Sequence, residues 1–278
     1  MVKSCYAGVE RLWMDELMIR VYIREAKESL SALLFPPRCN FCDSFDSEEP
    51  LDLCESCRDR LKEVSPPFCG QCGRPQPGLP LDRAGYCGRC LSDPPPYTRA
   101  RYAVFYEGGL RESLLRFKYG AALHLSGTLS ALLIQAFEKY CRPEDLHVIV
   151  PIPVHRNRLV RRGFNQALVL ARKLSRATGI PVAPRALVKI RDTRPQVGLS
   201  LKERKVNLRG SFGIAHPLDV RERSVLLVDD VATTGTTLAE ASKIILDAGA
   251  SSVQALVLAL RGTDTGGPPQ SPEPWALK

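Results

Sequence analysis

Apolar positions change their period along this chain. From residue 8 to residue 34 Leu, Glu, Arg and Ala dominate with no Gly or Pro after Gly8, and Leu17, Val21, Leu30 and Leu34 fall near one helical face. The spacing predicts an amphipathic N-terminal helix, and such a stripe is expected to dock on the chain's own second domain, with a partner as the alternative. Pro36 and Pro37 end it. Residues 38 to 96 lose the periodicity, and Gly, Pro and Asp leave too few apolar side chains for an independent core. Something besides burial must hold that zone together. After Pro94-Pro95-Pro96, which reads as a stiff linker, strand-length apolar runs alternate with helical spacing. Strands are predicted at Arg101 to Tyr106, His147 to Ile152, Ser224 to Asp229 and Ser252 to Leu260. Helices are predicted at Leu110 to Phe117, Leu125 to Lys139, Phe164 to Ala177 and Leu238 to Asp247, the third with Phe164, Leu168, Ala171 and Leu174 on one stripe. This alternation implies an α/β fold, a parallel sheet with helices on both faces. From Thr263 onward Gly, Pro and Ser prevail, Trp275 is the only large side chain, and disorder is expected.

Length and charge sharpen the picture. A chain of 278 residues has room for one or two domains. No apolar run approaches the ~18 residues of a membrane span, and the first 30 residues lack a signal-like apolar block, so a cytoplasmic protein without membrane insertion is expected. The net charge of +9 is unevenly spread: residues 1 to 96 hold 12 basic and 15 acidic groups, residues 97 to 262 hold 26 and 13. Between Arg156 and Arg209 stand 15 basic groups against only Asp192 and Glu203. Such a field attracts phosphate, on a small substrate or on a nucleic-acid backbone, although a solvated surface without a partner has the same composition.

Eight of the ten cysteines form four Cys-x-x-Cys pairs: Cys39 and Cys42, Cys54 and Cys57, Cys69 and Cys72, Cys87 and Cys90. This knuckle spacing lets two thiolates from one tight turn face a tetrahedral metal, and two turns complete the shell, so four pairs predict two structural zinc ions. Sequential pairing is the simplest arrangement. Disulfides need an oxidising compartment, iron–sulfur ligation suits the residue type but less the evenly spread pairs, and a redox motif would ordinarily occur once. Cys5 and Cys141 have no partner at ligand spacing.

The richest chemistry lies in VLLVDDVATTGTTL, residues 225 to 238. A buried strand ends in Asp229 and Asp230, where open α/β sheets place ligands. Thr233, Thr234, Gly235, Thr236 and Thr237 then lead into a helix, whose amino end with its N–H groups and hydroxyls is an anion cradle. Carboxylates beside such a cradle repel a bare anion, whereas a sugar phosphate offers hydroxyls to the acids and phosphate to the loop.

This segment resembles the ribose-5-phosphate motif of type I phosphoribosyltransferases. The chain as a whole resembles the ComF family of competence-associated proteins, through LLFPPRCNFC at Leu33, FKYG around Lys118, VPIPVHRNRLVRRGFNQ from Val150 and RDTRPQVGLSLKERKVNLRGSF from Arg191. The resemblance implies a helical extension over 1–35, a double zinc-ribbon module over 36–93, a phosphoribosyltransferase-like domain over 97–262 and a tail over 263–278. It further implies that phosphoribosyl pyrophosphate binds with magnesium, Asp229 and Asp230 on the ribose hydroxyls and Thr233 to Thr237 on the 5-phosphate. Lys118, Arg161, Arg162, Asn165 and Gln166 become pyrophosphate-side candidates, and Arg194, Gln196, Arg204 and Asn207 resemble the family's flexible loop, which would close over the substrate. Members acting on 6-oxopurines carry Asp near the loop's start where this chain has Thr233, so that proton acceptor is missing and the nucleophile being ribosylated is unidentified. Two functions are therefore expected in parallel: phosphoribosyl transfer, or a DNA-uptake accessory role with single-stranded DNA or a competence helicase as partner.

Overall fold

In a computed structural model the described residues are 38–47, 51–76, 82, 85–193 and 201–262, with side chains undescribed at 201, 202, 204 and 205. The predicted N-terminal helix, the tail, Arg194 and Gln196 lie outside them. Among the described residues the first elements are two short helices, α1 (Glu55–Asp59) and α2 (Gly88–Ser92), each beginning directly after a cysteine. Then follow β1 (Arg99–Phe105), α3 (Gly108–Tyr119), α4 (Ser126–Tyr140), β2 (Val148–Pro151), α5 (Arg156–Arg162) and α6 (Gln166–Thr178). The chain continues through β3 (Leu187–Lys189), α7 (Leu201–Leu208), β4 (Phe212–Ile214), β5 (Ser224–Ala232), α8 (Thr236–Asp247) and β6 (Ser252–Leu260).

Four strands form one parallel sheet in the order β1-β6-β5-β2. Successive side chains of a strand point to opposite faces, and β5 obeys this: Leu226 and Val228 join the core under α3, α4 and α6, while Val225 and Leu227 join the core under α8. Both faces are buried, as a parallel sheet requires. The separate antiparallel pair β3-β4 was not predicted, because three-residue strands are too short to show a period.

Some boundaries move for identifiable reasons. The third predicted helix starts at Gln166 rather than Phe164, because the Asn165 side chain accepts from the Ala167 N–H at 3.0 Å and caps it. Its buried stripe is consequently Ala167, Leu170, Ala171 and Leu174, while Phe164 packs on Phe117 with ring centroids 5.2 Å apart. The last predicted helix starts two residues early, at Thr236, behind Gly235 with φ +80°.

The cysteine zone is bound to this domain. It covers the outer edge of β1, where Val64 N–H donates to the Ala103 carbonyl and the Ala100 N–H to the Gln71 carbonyl. An edge strand left open would pair with another chain. Pro94 to Pro96 is therefore no free spacer; the Gln71 amide holds the Pro95 carbonyl at 3.2 Å. Among the described residues no helix is long and apolar enough to cross a membrane.

Candidate functional site

Cys39, Cys42, Cys54 and Cys57 converge into one four-sulfur group, and Cys69, Cys72, Cys87 and Cys90 into a second, with the sulfurs of each within 4.8 Å of one another. The pairing is sequential. Tetrahedral thiolate shells have this compactness, and four sulfurs leave no open position for water, so the residues fit two structural zinc ions. The surroundings of the groups differ. The first shares the main core with Phe41, Leu51 and Leu53, and is tied to α4 by Asn40 donating to the Thr128 hydroxyl at 2.7 Å. The second is a buried cluster made of its four cysteines alone.

The acids and the threonine loop meet at the carboxyl end of β5. Pairing with β2 stops at Val228, while pairing with β6 continues to Ala232, so Asp229 and Asp230 lie on a strand whose β2 side has become free for other groups. Being consecutive, they face opposite ways. Asp230, 9% exposed, takes an ion pair from Lys118 of α3, Oδ2 to Nζ 3.0 Å. Asp229 lies on the face of β5 that carries Val225 and Leu227, under electrostatic influence of Lys189 of β3. Burial pushes the Asp229 carboxyl up, and the like charge of Asp230 pushes it further; the Asp230 N–H, donating at 2.9 Å, Lys118 and Lys189 only partly offset this. Burial works against the Lys118 ammonium too, but Asp230 outweighs it and holds its pKa above the ordinary lysine value. Lys189 goes the other way, down to about 8, through burial and then Arg158.

One outcome for stability follows. Asp229 titrates higher folded than its ordinary 3.8, so the folded chain binds more protons over that interval and stability falls as pH rises through it. Asp229→Asn should therefore stabilise the ligand-free protein at pH 8 by about 1 kcal/mol or more, because each tenfold gain in proton affinity on folding corresponds to roughly 1.4 kcal/mol, and by less at pH 5. Thermal melts at both values check this; an equal gain at each would contradict it.

Past Ala232 the chain turns through Thr233 and Thr234 into α8. The Thr234 and Thr236 hydroxyls lie 2.7 Å apart, and both residues are buried. Gly235 adopts a left-handed φ that suits glycine, and a Cβ there would stand 3.3 Å from the Tyr97 hydroxyl. Thr236 and Thr237 belong to the first turn of α8, so N–H groups without intrahelical partners point out of that end. From the second ribbon, Arg89 donates to the Thr234 carbonyl at 3.2 Å.

The remaining sequence-predicted residues divide. Arg162 stacks over Tyr119 at 4.9 Å, donates to its hydroxyl at 2.9 Å and reaches the Gln166 amide oxygen at 3.4 Å. Gln166 is 1% exposed and its Nε2 is buried with no hydrogen-bond partner. Asn165 uses both ends of its amide inside the fold, the second on the Ile152 carbonyl at 3.0 Å. Arg161 is exposed on α5 and lines a cavity of about 690 Å³ with Arg156, Arg158 and Asp192. Asn207 lies in the last turn of α7, where its carbonyl accepts from Arg191 at 3.0 Å. Arg204 lies on α7, its side chain outside the described set. Two residues near the site escaped the sequence reading. Lys189 stands just before the Arg191 motif on a strand too short to recognise, and Arg89 lay hidden between two metal-binding cysteines.

A double zinc ribbon domain model matches residues 30–91, and a phosphoribosyl transferase domain model matches residues 159–272, which contain the acid pair and the threonine loop. Competence protein F of Haemophilus influenzae is 35% identical over 226 residues, 80% of this chain and 96% of that protein. The chain belongs to the ComF family. Other relatives of this ComF-family chain include the DNA utilization protein YhgH of Escherichia coli K12, 34% identical over 73% of this chain and 87% of its own length. Competence protein ComFC of Bacillus subtilis is 29% identical over 79% and 93%. The ComF pattern of a double zinc ribbon followed by a phosphoribosyltransferase-type domain agrees with the order of the two modules described above.

Proposed function

We propose that this chain binds phosphoribosyl pyrophosphate together with magnesium and transfers its phosphoribosyl group to a nitrogen nucleophile. The reading takes residues 36–93 as the ribbon module and 97–262 as the phosphoribosyltransferase-like domain. The observation that carries it is the junction of β5 and α8: two carboxylates, then a Thr-Thr-Gly-Thr turn with left-handed Gly235 at the helix start. Phosphate would sit on the amino end of α8, and the acids would take the ribose hydroxyls. Oxygen donors are what magnesium requires, and Asp229 is the carboxylate that would hold it, through water or substrate oxygen. When bound, the ion would neutralise charge growing on the departing pyrophosphate.

The chain's own residues supply the rest. Lys118 and Lys189 bring positive charge to the two faces of the acid pair, which stabilises a polyanion as the ribose becomes cationic. Lys118 would leave Asp230 when a sugar arrives, exchanging one partner for another. Arg161 and Arg162 form the last turn of α5, the helix that follows β2, and guanidinium forks match phosphate oxygens. In calorimetric titration of the full chain with donor and magnesium, wild type is expected to bind saturably and the Asp229→Ala, Asp230→Ala double variant at least thirtyfold more weakly. Absence of binding by wild type would remove the proposal.

A second reading is favoured by the arginine-lined cavity beside α5 and by the names its relatives carry: single-stranded DNA or a helicase as partner in DNA uptake. Affinity for single strands should then fall steeply with salt.

A further inference from the structure

We infer that the cleft between the second zinc ribbon and the outer side of the threonine loop is a binding site for a free mononucleotide-class ligand, one phosphate joined to one flat heteroaromatic ring. It borders the ribose-phosphate site: the two share the turn Thr234, Gly235 and Thr236, but the walls of this cleft include neither aspartate nor Lys118. The cavity measures about 550 Å³, within the ordinary size range of small-molecule sites. Both modules build it.

Its charge selects an anion. Arg74 and Arg89 come from the ribbon, Arg209 from the turn just after α7 and Lys243 from the second turn of α8. Against these cations stand Asp93 and Glu240, and the Glu240 carboxylate already accepts from the Gly210 N–H at 2.7 Å. Arg74 lines this wall, and its Nη2, buried beneath the cleft surface, has no hydrogen-bond partner among the described residues. A buried guanidinium donor left unpaired is costly, and a turn of the Arg74 side chain toward the cleft would let a phosphate oxygen satisfy it.

Its apolar part selects a ring. Pro94, Pro95 and Pro96 run along one side and end on Tyr97, which is 4% exposed, and Val206 with Ala239 faces the cavity from the helices. The rigid apolar rings of the three prolines suit one face of a heteroaromatic ring. Occupancy would also be felt by the loop. Arg89 lines the cleft and at the same time holds the Thr234 carbonyl, and Tyr97 lies against Gly235. A nucleotide here would stiffen or shift the turn that the ribose phosphate uses, so the two sites would be thermodynamically coupled.

The test titrates zinc-loaded full chain with AMP, GMP, CMP and UMP, with inorganic phosphate and the matching nucleosides as controls. At least one monophosphate should bind saturably and more tightly than either control. Arg209→Ala combined with Lys243→Ala should weaken it at least tenfold; both side chains are exposed, so the fold is expected to survive, and Lys243→Glu provides a second variant. The Asp229→Ala, Asp230→Ala protein should keep this binding while losing the phosphoribosyl donor, which separates the outcome from that of the transferase reading. Arg74→Gln should weaken the nucleotide while keeping two zinc ions per chain. Loss of zinc without loss of affinity would mean that Arg74 only balances the thiolates, and would overturn the assignment. So would binding that follows the aspartates instead of Arg209 and Lys243, absence of saturable binding, or displacement by a single-stranded oligonucleotide alone.

Discussion

Stripping zinc from this chain is expected to unfold the second ribbon while the parallel sheet stays folded. The reason is what each metal group has to lean on. Cys69, Cys72, Cys87 and Cys90 form a buried cluster with no other apolar member among the described residues, so once the ion leaves only the contacts along the β1 edge and the Arg89 hydrogen bond remain to offset the entropy of ordering that loop. Structural zinc in small modules is worth on the order of 10 kcal/mol or more at neutral pH, far above any other contribution available there. The first group is embedded beside Phe41, Leu51, Leu53 and α4, so its loop should keep some structure longer. Chelator titration with a zinc-sensitive dye should release two ions per chain, and hydrogen exchange should show protection lost first around residues 69–92. Simultaneous loss in both ribbons and the sheet would show that the modules are one cooperative unit. Since Arg89 lies in the knuckle of the second group and holds the Thr234 carbonyl, metal loss is also expected to weaken the threonine loop's ligand.

Gly73→Ala is expected to cost about 3 kcal/mol or more, combining roughly 1–2 for a left-handed backbone with roughly 1–3 for overpacking. Gly73 has φ +69°, and a Cβ would come 2.1 Å from the Ala100 carbonyl oxygen and 3.1 Å from the Tyr102 ring. The oxygen belongs to β1, which is fixed by pairing with β6, so the ribbon would have to lift off the sheet edge. Gly88 in the same ribbon is the control: nothing lies within 4 Å of its Cβ position, and Gly88→Ala should be near neutral. At about 2–4 °C per kcal/mol for a domain of this size, the two melting curves should separate by roughly 6 °C or more. Equal curves would mean that the ribbon does not pack on β1 in solution.

The Asp229→Asn stabilisation belongs beside these. Holding a carboxylate buried against a second one is unfavourable in the free protein, and strained or destabilised groups of this sort are kept where a ligand makes use of them.

The sequence alone determined whatever depends on local spacing. Four Cys-x-x-Cys pairs specify sulfur turns, period-2 and period-3.6 runs specify strands and helices, and an acid pair followed by a threonine-glycine turn specifies a strand end meeting a helix start. Even β5 was legible from Ser224, and its extension to Ala232 was hidden only because Asp229 and Asp230 break the apolar run. Tertiary structure alone decided what depends on which surfaces meet. It gave Asp230 to Lys118, brought Lys189 in on a strand too short to carry a period, and laid the second ribbon against the loop through Arg89. Spacing along a chain fixes the geometry of neighbours within a few residues; contacts such as that of Arg89 with Thr234 join residues 145 positions apart, and only the packing of the sheet edge and its covering module sets them.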